Sequence, residues 1–281
     1  MFNFLKISSI KPNVKMNTII LFTNARDEPN IAEWVAHHLI LGFNKIVIFD
    51  HLSKIPISMS IGTTFNNKLE VIKVDGSGNI KINLMNRALE MSQNQGYEWM
   101  LYLDADEFIN LNNLSSIHHF LKYFKSANSI GINWLLFGTS GHVKQPNGLL
   151  TENFIKSDSK LNNHVKTIVR PHNVRYCNNP HFYVMDNSNK CYSGNGTKMA
   201  MCPFNKQPMS FLNAPIYIAH YYTQSEEEYL RRKTRICDDG TSKQVNIKNI
   251  HNSYNDSINE QLKTRYSGKI KLFLQNYNID L

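Results

Sequence analysis

The chain has 281 residues, enough for one domain or slightly more and enough to bury a sizeable core. Hydrophobic residues make up 42% and charged residues 19%, which excludes a globally disordered chain. The net charge of +9 implies anionic partners such as nucleotide phosphates, but Lys and Arg are scattered rather than blocked, unlike a basic nucleic-acid-binding arm.

Residues 1–16 read as a loose leader, because the first apolar run is broken by Lys6 and lacks a small-residue cleavage pattern. Thr18 to Phe22 is a buried strand. Asp27, Glu28 and Pro29 then open a helix that places Ile31, Trp34, Val35, His38 and Leu39 on one face and stops at Gly42. Lys45 to Asp50 and Leu69 to Val74 are strands, Ile80 to Gln95 is a helix closed by Gly96, and Trp99 to Leu103 is another apolar strand. This alternation predicts an α/β fold with a mostly parallel sheet flanked by helices. Ile130 to Phe137 is a further strand. Val165 to Val169, Phe182 to Val184 and Ile216 to Ile218 are strands in a less regular region, with an exposed turn-rich segment over Asn187 to Gly196. Ser225 and Glu228 form a capping box for a helix running toward Cys237. A polar stretch from Asp238 to Asp256 and an amphipathic helix carrying Ile258, Leu262, Ile270 and Leu274 make a C-terminal extension. The expected organisation is therefore leader 1–16, main domain 17–237 and C-terminal segment 238–281.

No segment approaches the ~20 apolar residues of a transmembrane helix, so a soluble, cytoplasmic protein is expected. The four cysteines, Cys177, Cys191, Cys202 and Cys237, form no C-x-x-C pair. They read as reduced thiols, or as two disulfides if the chain enters the secretory pathway.

The chemistry concentrates in Leu103-Asp104-Ala105-Asp106-Glu107-Phe108. Asp104 and Asp106 leave the end of a buried strand, where both can face one hard cation, Mn²⁺ or Mg²⁺, that shares its remaining sites with substrate phosphates. The alternative is a pair of solvated turn acids. Asp50, followed by Ser53 at the end of the second strand, can bind a base or ribose, or serve only as a turn residue. His220 can supply a further metal ligand as neutral imidazole, with His181 as the competing histidine. Phe137 to His142 forms a small-residue loop that a ligand or only solvent can approach. Arg231, Arg232, Lys233 and Arg235 make a basic cluster that can meet a diphosphate or simply face water.

Taken in order, these segments resemble the family-2-like glycosyltransferases, and most closely the family 92 group, over residues 17 to 236. The matches are Asn24, Arg26, Glu28, Glu33, Trp34 and His38; Leu41, Gly42, Asp50 and Ser53; Asp104, Asp106, Glu107 and Phe108; Phe137, Gly138, Ser140, Gly141 and His142; Lys166, Ile168, Val169, Arg170 and Pro171; Pro180 to Phe182; and His220, Tyr221 and Ser225. His51 stands where the group carries Asn. The resemblance implies a GT-A-type fold, a nucleotide-sugar donor (UDP-linked), a divalent cation, a glycan or other hydroxyl acceptor, and inversion at the anomeric carbon. It also implies donor contacts from Thr23, Asn24, Arg26, Glu28, Asp50, Ser53, Asn86, Asp104 and Ala105, with Asp104, Asp106 and His220 as metal ligands. An inverting transfer needs a general base, for which Glu152, and after it Asp186, are the candidates. A dehalogenase-type phosphatase would place its aspartates on the first strand, and a sugar-nucleotide pyrophosphorylase would need glycines in Thr23-Asn24-Ala25-Arg26. A non-catalytic nucleotide-sugar or nucleic-acid binding module is the alternative, although the basic-aromatic interleaving of nucleic-acid platforms is missing.

Overall fold

In the computed structural model the described residues are 18–61, 65, 67–76, 80–206, 209–234 and 250–279. The expected leader, Cys237 and the polar stretch up to residue 249 lie outside them. The chain forms β1 (Ile19–Ala25), α1 (Ile31–Ile40), β2 (Lys45–His51), α2 (Ile57–Ile61), β3 (Leu69–Val74), α3 (Ile80–Asn94) and β4 (Trp99–Tyr102). It doubles back as β5 (Glu107–Asn110), then continues through α4 (Ile117–Leu121), β6 (Ser129–Leu136), α5 (Leu150–Asn153), β7 (Lys156–Ser157) and β8 (Val165–Val169). The remaining elements are β9 (Val174–Asn179), β10 (Phe182–Met185), β11 (Cys191–Ser193), β12 (Tyr217–His220), α6 (Glu226–Lys233), β13 (Ser257–Ile258) and α7 (Gly268–Asn276), the last preceded by a π-helical turn over Lys263–Ser267.

The main sheet has the order β3-β2-β1-β4-β8-β6-β12-β5, with β11 also on β6. The expected parallel arrangement holds for β3-β2-β1-β4. Beyond it the sheet is mixed: β8 runs antiparallel to both β4 and β6, and β5 antiparallel to β12. The turn from Leu103 to Asp106 carries the chain from β4 to β5, which does not pair with β4 but lies at the other end of the strand order against β12.

Strands β1, β2 and β4 are buried on both faces and so divide their side chains between two cores. Ile19, Leu21, Ile46, Ile48, Trp99 and Leu101 pack with α1 and α7 on one face. Ile20, Phe22, Val47, Phe49, Met100 and Tyr102 pack with α3 on the other. The Phe22 ring stacks with Phe49 and Tyr102 at 6.1 and 6.4 Å, so three adjacent strands share an aromatic row.

Helix α1 begins at Ile31, later than expected, because Asp27 takes a left-handed conformation (φ 49°) and is engaged elsewhere. Its N–H donates to Ser53 Oγ (3.1 Å) and its carboxylate accepts from the Lys54 N–H (2.7 Å), which ties the loops after β1 and β2 together. Gly42 ends the helix with φ 100°, a conformation that glycine adopts without steric cost. Ser225 caps α6 by accepting from the Glu228 N–H, but the Glu228 carboxylate turns to Arg231 instead of back to the cap. In the C-terminal segment Leu262, Ile270 and Leu274 are buried in the same core as α1. Ile258 departs from the expected helix: it belongs to β13 and is exposed, because that segment pairs with β7.

Candidate active site

Strands β1, β2, β3, β4, β6 and β12 all point the same way, so their carboxyl ends share one edge of the sheet. Ligands of open α/β sheets bind outside that edge. The Asp104–Glu107 turn lies on it.

The turn is held from several sides. The Glu107 N–H donates to the Asp104 carbonyl (3.0 Å), and Glu107 Oε2 accepts from the Asp104 N–H (2.8 Å). The Tyr221 N–H donates to the Asp106 carbonyl at 2.9 Å. Helix α1 braces the return strand β5, with Trp34 Nε1 donating to the Glu107 carbonyl and His37 Nε2 to the Ile109 carbonyl, both at 2.8 Å. Glu33, Trp34 and His37 are therefore scaffold: Glu33 itself accepts from the N–H groups of Leu150 (2.6 Å) and Thr151 (3.0 Å) and from the Thr151 hydroxyl (2.7 Å).

Asp104 and Asp106 are surrounded by cations. Asp104 contacts Lys81 of α3 and, at 3.0 Å, Lys166 of β8. Asp106 Oδ2 accepts from Arg232 of α6 at 2.6 Å, and its Oδ1 lies 3.6 Å from His220 Nε2. Lys166 is only 1% exposed and also reaches Glu107 at 3.7 Å. Burial would raise the carboxyl of Asp104, but Lys166 and Lys81 hold it well below the usual range. Asp106 is likewise held at about 2 against burial by the charges and hydrogen bonds of His220 and Arg232. Glu107, fully buried, is pushed up to about 7 by burial in spite of Lys166. Two ionised aspartates thus face a third acid that titrates near neutrality. Sequence reasoning missed Lys81 and Lys166 as site residues. Within Val-Lys-Thr-Ile-Val, a lysine in a fully buried strand was the available signal, because an unpaired ammonium cannot remain there.

The other expected site residues sort by position. Thr23 and Asn24 lie at the end of β1, where Asn24 Oδ1 accepts from the Tyr102 hydroxyl at 3.1 Å, and Arg26 follows them. Glu28 is half-buried, and burial raises its carboxyl to about 7, with Arg232 opposing. Asp50 is buried at the end of β2. One of its oxygens accepts from the Ile57 N–H at the start of α2, and the other has no partner among the described residues. Ser53 supports Asp27, and Ala105 is buried within the aspartate turn. Asn86 is placed differently: its amide is spent on both backbone groups of Cys177 and on the Ile82 carbonyl, bracing β9 against α3. His51 bonds the Gly76 carbonyl (2.9 Å) and so links the ends of β2 and β3. His181 bonds the Val165 carbonyl (2.9 Å), and burial lowers it to about 4. Glu152 is ion-paired with Lys271 of α7 at 2.7 Å, and Asp186 with Arg175 at 2.8 Å on the exposed β9–β10 hairpin. Neither acid is bonded to the aspartate turn. The Phe137–His142 loop is clamped from behind. A Cβ on Gly138 would collide with the Asn255 side chain, which accepts from the Ser140 N–H.

Among the described residues no three His, Cys, Asp or Glu side chains gather tightly enough to hold a metal by themselves. Asp106 Oδ1 and His220 Nε2 do converge, and they fit a cation that takes one or two protein ligands and completes its shell with substrate phosphates. A cavity of about 360 Å³ opens between the end of β3 and α3, lined by Lys73, Asp75, Gly76, Asn83 and Arg87.

Residues 82–268 match the model of glycosyltransferase family 92, and the chain belongs to that family. No curated protein matches it. Among solved structures it is similar to S. aureus TarS 1–349, with 17% identity and a TM-score of 0.35 over 55% of this chain and 47% of that one. The same fragment in complex with UDP gives 16% identity and a TM-score of 0.36, again covering 55% and 47%. HddC from Yersinia pseudotuberculosis gives 10% identity and a TM-score of 0.39 over 78% of this chain and 100% of that one. The chain thus spans about half the length of the TarS fragment. No helix among the described residues is long and apolar enough to cross a membrane.

Proposed function

We propose that the protein transfers a sugar from a nucleoside-diphosphate sugar, UDP-linked, to a hydroxyl of a glycan or other acceptor, with inversion and with a divalent cation, in a GT-A-type arrangement. The observation that carries this reading is the aspartate turn on the carboxyl edge of the sheet, where Asp104 and Asp106 meet Lys81, Lys166, Arg232 and His220. Family membership supports it. Two acids alone would repel a diphosphate, whereas acids neutralised by cations that the ligand can share accept one.

In this reading the nucleoside lies over the ends of β1 to β3, near Asn24 and Asp50. Asp106 and His220 would hold Mn²⁺ or Mg²⁺, which would supply positive charge beside a bound diphosphate. Lys81 and Arg232 exchange part of their contact with the aspartates for phosphate oxygens. Lys166, deeply buried, keeps Asp104 ionised and oriented. The acceptor oxygen forms a bond to the anomeric carbon as the carbon–oxygen bond to the diphosphate breaks.

The test is thermal unfolding against nucleoside diphosphates and sugar nucleotides, each with and without Mn²⁺, since a ligand that binds only the folded state raises the melting temperature by mass action. A shift with uridine ligands that requires the metal is expected, and Asp106→Ala should abolish it in a variant that still unfolds in one cooperative transition. Uridine ligands that leave the wild type unshifted, or an Asp106→Ala variant with the wild-type metal-dependent shift, would sink the reading.

A further inference from the structure

The acids first expected to serve as base are occupied by Lys271 and Arg175, whereas a third lies on the carboxyl edge. Residues 156–164 run back along the end of β6. The Gly138 N–H donates to the Lys156 carbonyl (3.0 Å), the Asp158 N–H to the Leu136 carbonyl (2.9 Å) and the Asn162 N–H to the Trp134 carbonyl (2.8 Å). Leu136 is the register partner of His220 on β12. Asp158 is thus fixed at the carboxyl end of β6, with that one strand between it and the metal-ligand candidate His220.

Its side chain is half-buried and makes no hydrogen bond or ion pair with any described residue. Its electrostatic neighbours are Asp256, from the segment just before β13, and the Tyr254 hydroxyl. The Tyr254 ring meets Tyr222 edge-on at 5.9 Å, and Tyr222 meets His220 at 5.5 Å, so aromatic faces connect Asp158 to the aspartate turn. Both tyrosines are partly exposed, as a sugar-stacking surface requires. Burial, reinforced by Asp256, lifts the Asp158 carboxyl to about 6, which suits a proton acceptor working near neutral pH.

We propose that Asp158 is the general base of the transfer and that Tyr222 and Tyr254 form the platform on which a glycosidic acceptor stacks. The inference rests on the transferase reading above. The acceptor hydroxyl gives its proton to the Asp158 carboxylate while its oxygen bonds to the anomeric carbon. The electron pair of the breaking bond leaves on the β-phosphate oxygen of the nucleoside diphosphate.

The experiment measures UDP release from UDP-glucose, UDP-galactose and UDP-N-acetylglucosamine with Mn²⁺, using water and methyl β-galactoside as acceptors, alongside the thermal shift that each donor produces. Asp158→Asn should lower release by about 10²- to 10⁴-fold with the donor shift unchanged. Tyr254→Ala should raise the KM for methyl β-galactoside more than it lowers kcat. Asp256→Asn should move the acid limb of the wild-type pH profile to lower pH, which a purely structural Asp158 would not produce. Wild-type release by Asp158→Asn would overturn the base assignment alone. A wild type that neither shifts with nor turns over any of the donors would overturn the transferase reading and this inference with it.

Discussion

Lys166 sets the electrostatics of the whole turn. It is an almost inaccessible ammonium that answers two acids at once, and removing one partner of such a buried arrangement leaves the others uncompensated. Lys166→Met should cost about 3–5 kcal/mol in urea unfolding. Adding Glu107→Gln to that variant should recover part of the loss, because the amide needs no counter-charge; a double variant no more stable than Lys166→Met would show that the two side chains are not coupled. The aspartate pair itself was legible in the sequence, since D-x-D after an apolar strand is a local pattern. Lys81 and Lys166 were not, because they come from distant elements that only the fold brings to the pair. Asn86 shows the converse, since a residue suited to ligand contact by type is consumed by the backbone of Cys177.

At the scale of elements, α1 does more than cover the sheet. Through Glu33 it holds the start of α5, and through Trp34 and His37 it holds β5. Burial raises the Glu33 carboxyl from 4.5 to about 7, despite the three hydrogen bonds it accepts from Thr151 and Leu150. A carboxylate whose folded pKa is raised binds its proton more tightly in the folded state. Its contribution is therefore full below about 4.5 and is lost as pH rises through 7. His37 acts in the opposite direction: burial lowers it from 6.5 to about 4, so its contribution is lost as pH falls through that window. The two trends overlap, and the difference between wild type and Glu33→Gln isolates the acid. That difference in urea midpoint should favour wild type progressively less from pH 4.5 to pH 7, and a pH-independent difference would contradict the burial argument. Ser225→Ala tests the cap of α6 and should cost about 1 kcal/mol. Strands β1, β2 and β4 of the parallel half were legible because buried strands announce themselves as apolar runs. The antiparallel insertion of β8 and the reversal at β5 were not, since strand direction is decided by the connections and leaves no trace in a five-residue pattern.

For the molecule as a whole, residues 262–274 are part of the main core. Ile270 and Leu274 are fully buried in the core that contains Trp34 and Trp99. Ile270→Ala should cost about 2–5 kcal/mol while unfolding remains a single transition. A separate early transition in that variant, seen by hydrogen exchange confined to α7, would instead mark the helix as an independent unit. The C-terminal pattern predicted an amphipathic helix, but periodicity alone does not say which surface an apolar stripe covers, and α1 is that surface.

The contact between Gly138 and Asn255 has a further consequence, in the order of manufacture. The Phe137–His142 loop takes its shape from a side chain 115 positions later, so it cannot settle while the ribosome is still translating the intervening chain. At roughly 5–20 residues per second, that leaves an interval on the order of ten seconds between the loop's synthesis and the arrival of its clamp. The nascent protein can already have assembled β1 to β6 and exposed the aspartate turn, yet it lacks the wall that Tyr254 and its neighbours will supply. A chain stalled before residue 255 therefore carries the acids of the turn without the side chain that shapes this loop.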